Sequence, residues 1–468
     1  MKCVIYVVSE TANPRAVRPR VMPLPHELCW MLSSLHTAAT KVLASADAAG
    51  ATGPAGTTDR LRPLLPELSE APSGRLDYRI AVVAPMKAGK STLLNAVLSR
   101  ELLPSRGPAM TVLPTCVVPV AAESVPEPVL TVPGSTIEGV TALAHRLARP
   151  GHRPAVAAAV RRHPHLAAAE ARLSGIGAAG PPHRTVGTRA IGAALAEVND
   201  LLRLALTALA HEDVLVQFPS LQPPEVVVPV PWMATDPAGG WLVLVDTPGP
   251  DEELPPGILD RFVRREIHRA HELLLVTDAT RRDNEAEHTV IRMATSVQKP
   301  VFTVVNRVDL ADEPWNASST PPQGSGIRTA ARQGLAAACV LWHPPDGERR
   351  HATSAAERAF LRTAFPLDWE HHADVLSGDE IRNLARRQWE QSGVPALLDQ
   401  LITLRASNPG VWALADLLSR IASVGDPAAA VSGRPLAPRD GITVLAGRRQ
   451  QIVERARSLY VRTPITWR

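Results

Sequence analysis

The chain has 468 residues, 45% of them hydrophobic but only 4% aromatic, with 44 prolines and 29 glycines. That length exceeds what one growing core supports, so two or three structural units are expected, with aliphatic, Ala-rich cores and long irregular connections. A net charge of +4 and a pI near 9.1 do not demand an anionic partner, and four widely spaced cysteines (Cys3, Cys29, Cys116, Cys339) without a CxxC pair argue against a disulfide framework or zinc knuckle and suit a reducing cytoplasm.

In chain order, Met1 to Val8 is apolar but too short for a signal peptide. No apolar run reaches the roughly 18 residues of a membrane span, so membrane contact is expected to be peripheral at most. A helix is predicted from Pro25 to about Ala48, with Leu28, Met31, Leu32, Leu35, Ala39, Val42 and Leu43 at three- and four-residue spacing. Residues 49–58 read as a linker and 61–70 as a short helix. From Tyr78 the pattern becomes strand, loop, helix, followed by the apolar run Cys116 to Val120. Residues 137–211 are rich in Ala, Arg and His at helical spacing and read as an inserted helical excursion. Short apolar runs return at Glu225–Val230, Trp241–Val245, Glu272–Val276 and Val301–Val305, each the length of a buried parallel strand. After about residue 356 the chain reads as helical, with Leu397 to Leu401 and Trp412 to Leu418 the clearest amphipathic pieces. The expected fold class is α/β: a domain over 75–360 with a mostly parallel sheet and the Ala-rich insertion. A small helical bundle is expected from the N-terminal segment 1–74 and the C-terminal region 361–468.

Three motifs carry chemistry. Ala84-Pro-Met-Lys-Ala-Gly-Lys-Ser-Thr92, between the apolar run Tyr78–Val83 and the helical stretch from Leu93, is a phosphate-binding loop in strand-loop-helix context. Its backbone N–H groups, from Lys87 and Ala88 through Gly89 to Thr92, cradle phosphate; Lys90 reaches the β/γ-phosphates and Ser91 holds Mg²⁺. Ala84 stands where the pattern has its first Gly, so its φ must be negative or the loop must relax around the methyl group. Asp246-Thr-Pro-Gly249 closes an aliphatic strand and reads as D-x-x-G, with the carboxylate on Mg²⁺ through water and the Gly249 amide at the γ-phosphate. Asn306-Arg-Val-Asp309 ends another strand as N-[KR]-x-D. There Asp309 accepts from the guanine ring N–H and exocyclic amine, Asn306 positions the base, and the Arg307 stem lies across it. Adenine offers no such donor pair, so the base is read as guanine.

Taken together, these motifs resemble the translation-factor-related GTPase class and, more narrowly, the bacterial members of the dynamin family. The narrower resemblance rests on Met86-Lys-Ala-Gly-Lys-Ser-Thr-Leu-Leu-Asn-Ala96, on Leu102 to Pro114, and on the long stretch from Lys90 to Asp246, 246 − 90 = 156 positions apart. It rests also on Pro250, which stands where small GTPases carry a water-orienting glutamine. The resemblance implies GTP hydrolysis to GDP with Mg²⁺, Thr111 as the switch threonine on the metal with Thr115 as fallback, and a relay bundle joining N- and C-terminal helices. It also implies activation by pairing of G domains, as a homodimer or with a separate stalk-bearing protein, and peripheral contact with anionic membrane; nucleic acid is not indicated. In the family a monovalent cation supplies catalytic charge beside the loop. Lys87, three residues before Lys90, is read either as supplying that charge or as a solvent-facing lysine. The base loop after the last strand is expected at Ser354-Ala355, although Ser354 three residues before Glu357 also fits a helix capping box. A compact regulatory switch, or a low-turnover GTP-binding module acting through a protein partner, is the alternative reading. Arg146, Arg149, Arg153, Arg161, Arg162, Arg172 and Arg184 make the insertion basic without interleaved aromatics, and the pairs His163/His165 and His371/His372 lack supporting acidic or Cys spacing for a metal.

Overall fold

The computed structural model describes residues 25–48, 61–70, 76–104, 111–173, 180–209, 221–237, 239–249, 258–281, 288–289, 291–292, 299–311, 326–343, 353–402, 405–406, 408–424 and 447–455. Nine strands form one sheet: β1 Tyr78–Val83, β2 Thr115–Ala121, β3 Val129–Thr131, β4 Arg184–Val186, β5 Glu225–Val230, β6 Leu242–Asp246, β7 Glu272–Asp278, β8 Val301–Asn306 and β9 Ile327–Thr329. Their spatial order is β4-β3-β5-β2-β6-β1-β7-β8-β9. The run β6-β1-β7-β8-β9 is parallel throughout, so its carboxyl ends open on one edge, where α/β sheets bind ligands. β2 runs antiparallel to β6 with Thr115 opposite Asp246. That pairing brings the start of β2 to the same edge.

Alternation along β1 explains why its run is continuously apolar. Ile80 and Val82 face one core, shared with Leu242, Leu244, Leu274, Val276 and Val304, while Ala81 and Val83 face another with Leu273, Leu275, Val263 and Ile267. Both faces are covered, as in other parallel sheets. The first core also holds helix α1 His26–Ala48 through Leu28, Leu32 and Leu35, helix α2 Leu65–Glu70 through Leu68, the phosphate-loop helix α3 Lys90–Val97, and the late helix Pro409–Val424 through Leu414, Leu417 and Leu418. Ion pairs span the chain there: Arg420 with Glu67, and Arg455, in helical residues 447–455, with Glu27.

The insertion has its own core. Helices α4 Gly134–Leu147, α5 Arg153–Arg162, α6 Ala167–Leu173 and α7 Thr188–Ala208 bury Val140, Leu143, Leu147, Val156, Leu166, Val198, Leu201 and Leu202 together. The helical excursion expected over 137–211 also contains one short strand. β4 extends the sheet as an antiparallel edge beside β3, three residues too few to carry a strand signature. A second difference concerns residues after 355. The helices Ala355–Ala364, Trp369–Val375 and Gly378–Gln391 share a core with helix Ala331–Trp342, built on Ala337, Val340, Phe360, Leu361, Ile381 and Ala385. Helix Gly378–Gln391, expected among the bundle helices, therefore packs on the sheet's flanking helix.

Candidate functional site

The loop between β1 and α3 turns through two left-handed residues, Lys87 at φ +68° and Gly89 at φ +87°. Gly89 is required twice over. Its φ is one that side chains resist, and a Cβ there would lie 2.4 Å from the Asn306 side-chain nitrogen. Ala84 is buried and is not among the described residues with positive φ, so the methyl group costs the loop no backbone strain. The α3 helix starts at Lys90, and Ser91 and Thr92 occupy its first turn, where free N–H groups and the helix dipole favour an anion.

Asp246, at the end of β6, gathers three of the expected residues. Lys90 pairs with its Oδ1, their side chains 10% and 4% exposed. The Thr111 hydroxyl donates to Oδ2 at 3.2 Å, and the Ser91 hydroxyl lies 3.5 Å from the same oxygen. Two hydroxyls and a carboxylate form the hard oxygen set that suits Mg²⁺. Thr115, the fallback, sits inside β2, buried and opposite Asp246 in register. Thr247 anchors the D-x-x-G turn by donating its hydroxyl to Val82 O at 2.7 Å, and Gly249 is buried two residues on. Pro250 lies outside the described residues. Lys87 is exposed at the rim of the loop.

Asn306 is a clip between loops. Its Nδ2 donates to Ala88 O at 2.9 Å, while its Oδ1 accepts from Thr329 Oγ1 and from Ala331 N, each at 3.1 Å. Register explains the contact, since Asn306 ends β8 beside Thr329, the last residue of β9. Arg307 adopts φ +63° and donates to Asp278 Oδ2 at 3.0 Å; Asp278 Oδ1 accepts from both Thr280 N and Thr280 Oγ1. Asp309 follows in a half-buried turn. Burial raises its carboxyl pKa above the usual aspartate value, opposed by a backbone hydrogen bond and by Arg307 and Arg332.

At Ser354 and Ala355 the structure forms the capping-box alternative. The Ser354 hydroxyl accepts from Glu357 N at 3.1 Å and the Glu357 carboxylate accepts from Ser354 N at 2.6 Å, so Ser354 caps a helix that Ala355 begins. The segment that touches Asn306 is Thr329-Ala330-Ala331, directly after β9. A three-residue strand escapes periodicity, and a Thr-Ala pair just after Gly326-Ile-Arg was the available signal. Sequence reasoning also passed over Asp278, which holds Arg307, and Asn199, whose Oδ1 accepts from Val112 N at 2.6 Å and Leu113 N at 3.0 Å beside Thr111.

Among the described residues, no three His, Cys, Asp or Glu side chains converge as a metal site. His163 and His165 meet edge to face at 5.9 Å, as do His371 and His372 at 5.8 Å. No described helix is long and apolar enough to cross a membrane.

The parallel sheet and the glycine loop at its carboxyl edge define an α/β domain with a phosphate-loop arrangement between β1 and α3. No family model matches the chain. Two curated proteins named Clamp-binding protein CrfC are similar to it: one from Escherichia coli, 26% identical over 373 residues, and one from Escherichia coli strain K12, 28% identical over 374 residues. Each match covers 73% of this chain and 48% of the relative, so the chain spans about half the length of the curated relatives it matches. Two solved structures described as an oligomerised bacterial dynamin pair in the sensing and tethering of membranes align at 11% and 12% identity with TM-scores of 0.31 and 0.32. They cover 84% of this chain and 55% and 54% of theirs, a superposition too loose to carry weight.

Proposed function

We propose that this chain binds GTP and, with Mg²⁺, hydrolyses it to GDP and phosphate. One observation carries the reading: Lys90, Ser91 and Thr111 converge on the single carboxylate of Asp246, at the mouth of a left-handed glycine loop. Phosphoryl transfer needs positioning and charge stabilisation more than covalent help. Lys90 and the loop amides from Lys87 to Thr92 hold the phosphates, and the Gly249 amide meets the γ-phosphate. Thr111 orients the attacking water. Bound Mg²⁺, held by Ser91, Thr111 and through water by Asp246, would neutralise charge on the phosphate oxygens. Asp309 selects guanine, Asn306 ties the base loop to the phosphate loop, and Thr329-Ala330-Ala331 takes the place first expected of Ser354-Ala355. Lys87 supplies the extra positive charge that a cation or an arginine gives elsewhere.

Assembly belongs to the same proposal. The chain works as a homodimer through its G domains or with a separate stalk-bearing protein, at an anionic membrane surface. Phosphate release measured against protein concentration, with and without anionic liposomes, tests it. Specific activity rising with concentration supports assembly; a flat profile supports the compact switch.

A further inference from the structure

The stretch from Lys90 to Asp246, 156 positions apart in sequence, contains a helical unit that no motif explains. The structure ties this unit to the site at one point. Val112 and Leu113, the two residues after Thr111, are 0% and 1% exposed and are buried in the insertion's core rather than in the sheet's, beside Val198, Leu201 and Leu202 of α7. Asn199, itself 6% exposed, accepts hydrogen bonds from the backbone N–H of both through one Oδ1, while its Nδ2 donates to Leu195 O at 2.8 Å. The amide is thus fixed to α7 at one end and grips the switch segment with the other. Thr111, the next residue along, reaches Asp246 at 3.2 Å. The path runs without a gap: α7, Asn199, the Val112–Leu113 backbone, Thr111, Asp246.

A purely structural Asn199 would merely satisfy two buried N–H groups. Its position separates the two roles. A satisfying residue could sit anywhere along the segment, and loss of it would cost stability alone. Here both bonds fall on the residues immediately following the hydroxyl that must meet the metal and water, so freeing them loosens that hydroxyl by a residue's reach, enough to spoil a geometry that tolerates about half an ångström.

We propose that Asn199 is a positioning residue for GTP hydrolysis, holding Thr111 in its working place, and that the insertion is thereby part of the switch. This deepens the proposed function and rests on it. Asn199→Ala should lower kcat by about 10- to 100-fold, the scale of one or two lost hydrogen bonds at tenfold per 1.4 kcal/mol. GDP affinity, set by the phosphate loop and Asp309, should stay within about threefold, and the Mg²⁺ concentration for half-maximal turnover should rise. Asn199→Asp keeps an acceptor for both N–H groups but gives up the Nδ2 bond to Leu195 O, so it should recover part of the turnover. Should Asn199→Ala fail to fold, Asn199→Ser, too short to reach both amides, replaces it in the comparison with Asn199→Asp. Equal kcat in wild type and the alanine or serine variant, a loss confined to GDP affinity, or an aspartate variant as slow as the truncations would each overturn the assignment. A wild-type chain without GTP turnover would instead defeat the reading of the site on which it rests.

Discussion

Replacing Asn306 by alanine separates the two functions that N-x-x-D combines. The side chain is 2% exposed and makes three hydrogen bonds, to Ala88 O, Thr329 Oγ1 and Ala331 N. Truncation leaves three buried polar groups without this partner, and each costs ~1–3 kcal/mol. Allowing for relaxation around the second lone pair of the carbonyl, the loss is about 3–5 kcal/mol. At ~2–4 °C per kcal/mol for a domain of this size, melting should fall by at least about 6 °C. Asp309→Ala makes the contrast. Burial raises the Asp309 pKa, so the fold works against its ionised form. Removing it should leave the melting point where it is or raise it slightly, while GDP affinity falls. Differential scanning fluorimetry on both variants, with GDP binding measured by titration calorimetry, decides the matter. An Asn306→Ala protein melting within about 2 °C of wild type, or an Asp309→Ala protein losing as much stability, would refute the division of labour.

Three further outcomes are expected. Asp309→Asn exchanges a double acceptor for a donor and an acceptor, so preference should move from guanine to xanthine nucleotides by about 100-fold or more, read by competition binding. Ser354→Ala should cost about 1 kcal/mol through the lost cap without altering GTP affinity, whereas Thr329→Val should weaken GTP binding; the reverse pattern would restore Ser354 to the base loop. His271 stacks on Tyr78 at 5.0 Å, accepts from Arg79 N at 2.9 Å, and is held well below the ordinary histidine pKa by burial, reinforced by Arg420, Lys299 and Arg79. Below about pH 6.5 the unfolded imidazole takes up a proton that the folded one refuses. Stability should therefore fall as pH drops through that value, by up to ~1.4 kcal/mol per unit, and His271→Gln should flatten the slope in urea titrations.

What was legible in the sequence follows physical lines. β1, β6 and β7 are buried on both faces, so their sequences are continuous apolar runs, and β6 and β8 end on Asp246 and Asn306, the residues the motifs single out. β3, β4 and β9 have three residues each and no run to read. The base loop stayed ambiguous because Ser354 followed by Glu357 satisfies a local capping rule as well as any site rule, and only the pairing of β9 with β8 brings Thr329 to Asn306. Asn199 was out of reach for the same reason. It is one polar residue on an apolar helix face, and its partners lie 86 and 87 residues away along the chain. Tyr78, Glu272 and Arg405, joined by hydrogen bonds of 3.1 and 3.0 Å at the opposite end of β1 and β7, are likewise distant in sequence and unmarked by any motif.

The central claim is that the Asp246 cluster and the Asp309 turn form one GTP-hydrolysing site. Phosphate release from the purified chain, with GTP or ATP and with Mg²⁺ or excess chelator, tests it most directly, beside Lys90→Ala. The account predicts Mg²⁺-dependent turnover of GTP alone, inhibited by GDP and lost in Lys90→Ala. Equal turnover of ATP, turnover surviving the chelator, or activity persisting in the lysine variant would contradict it.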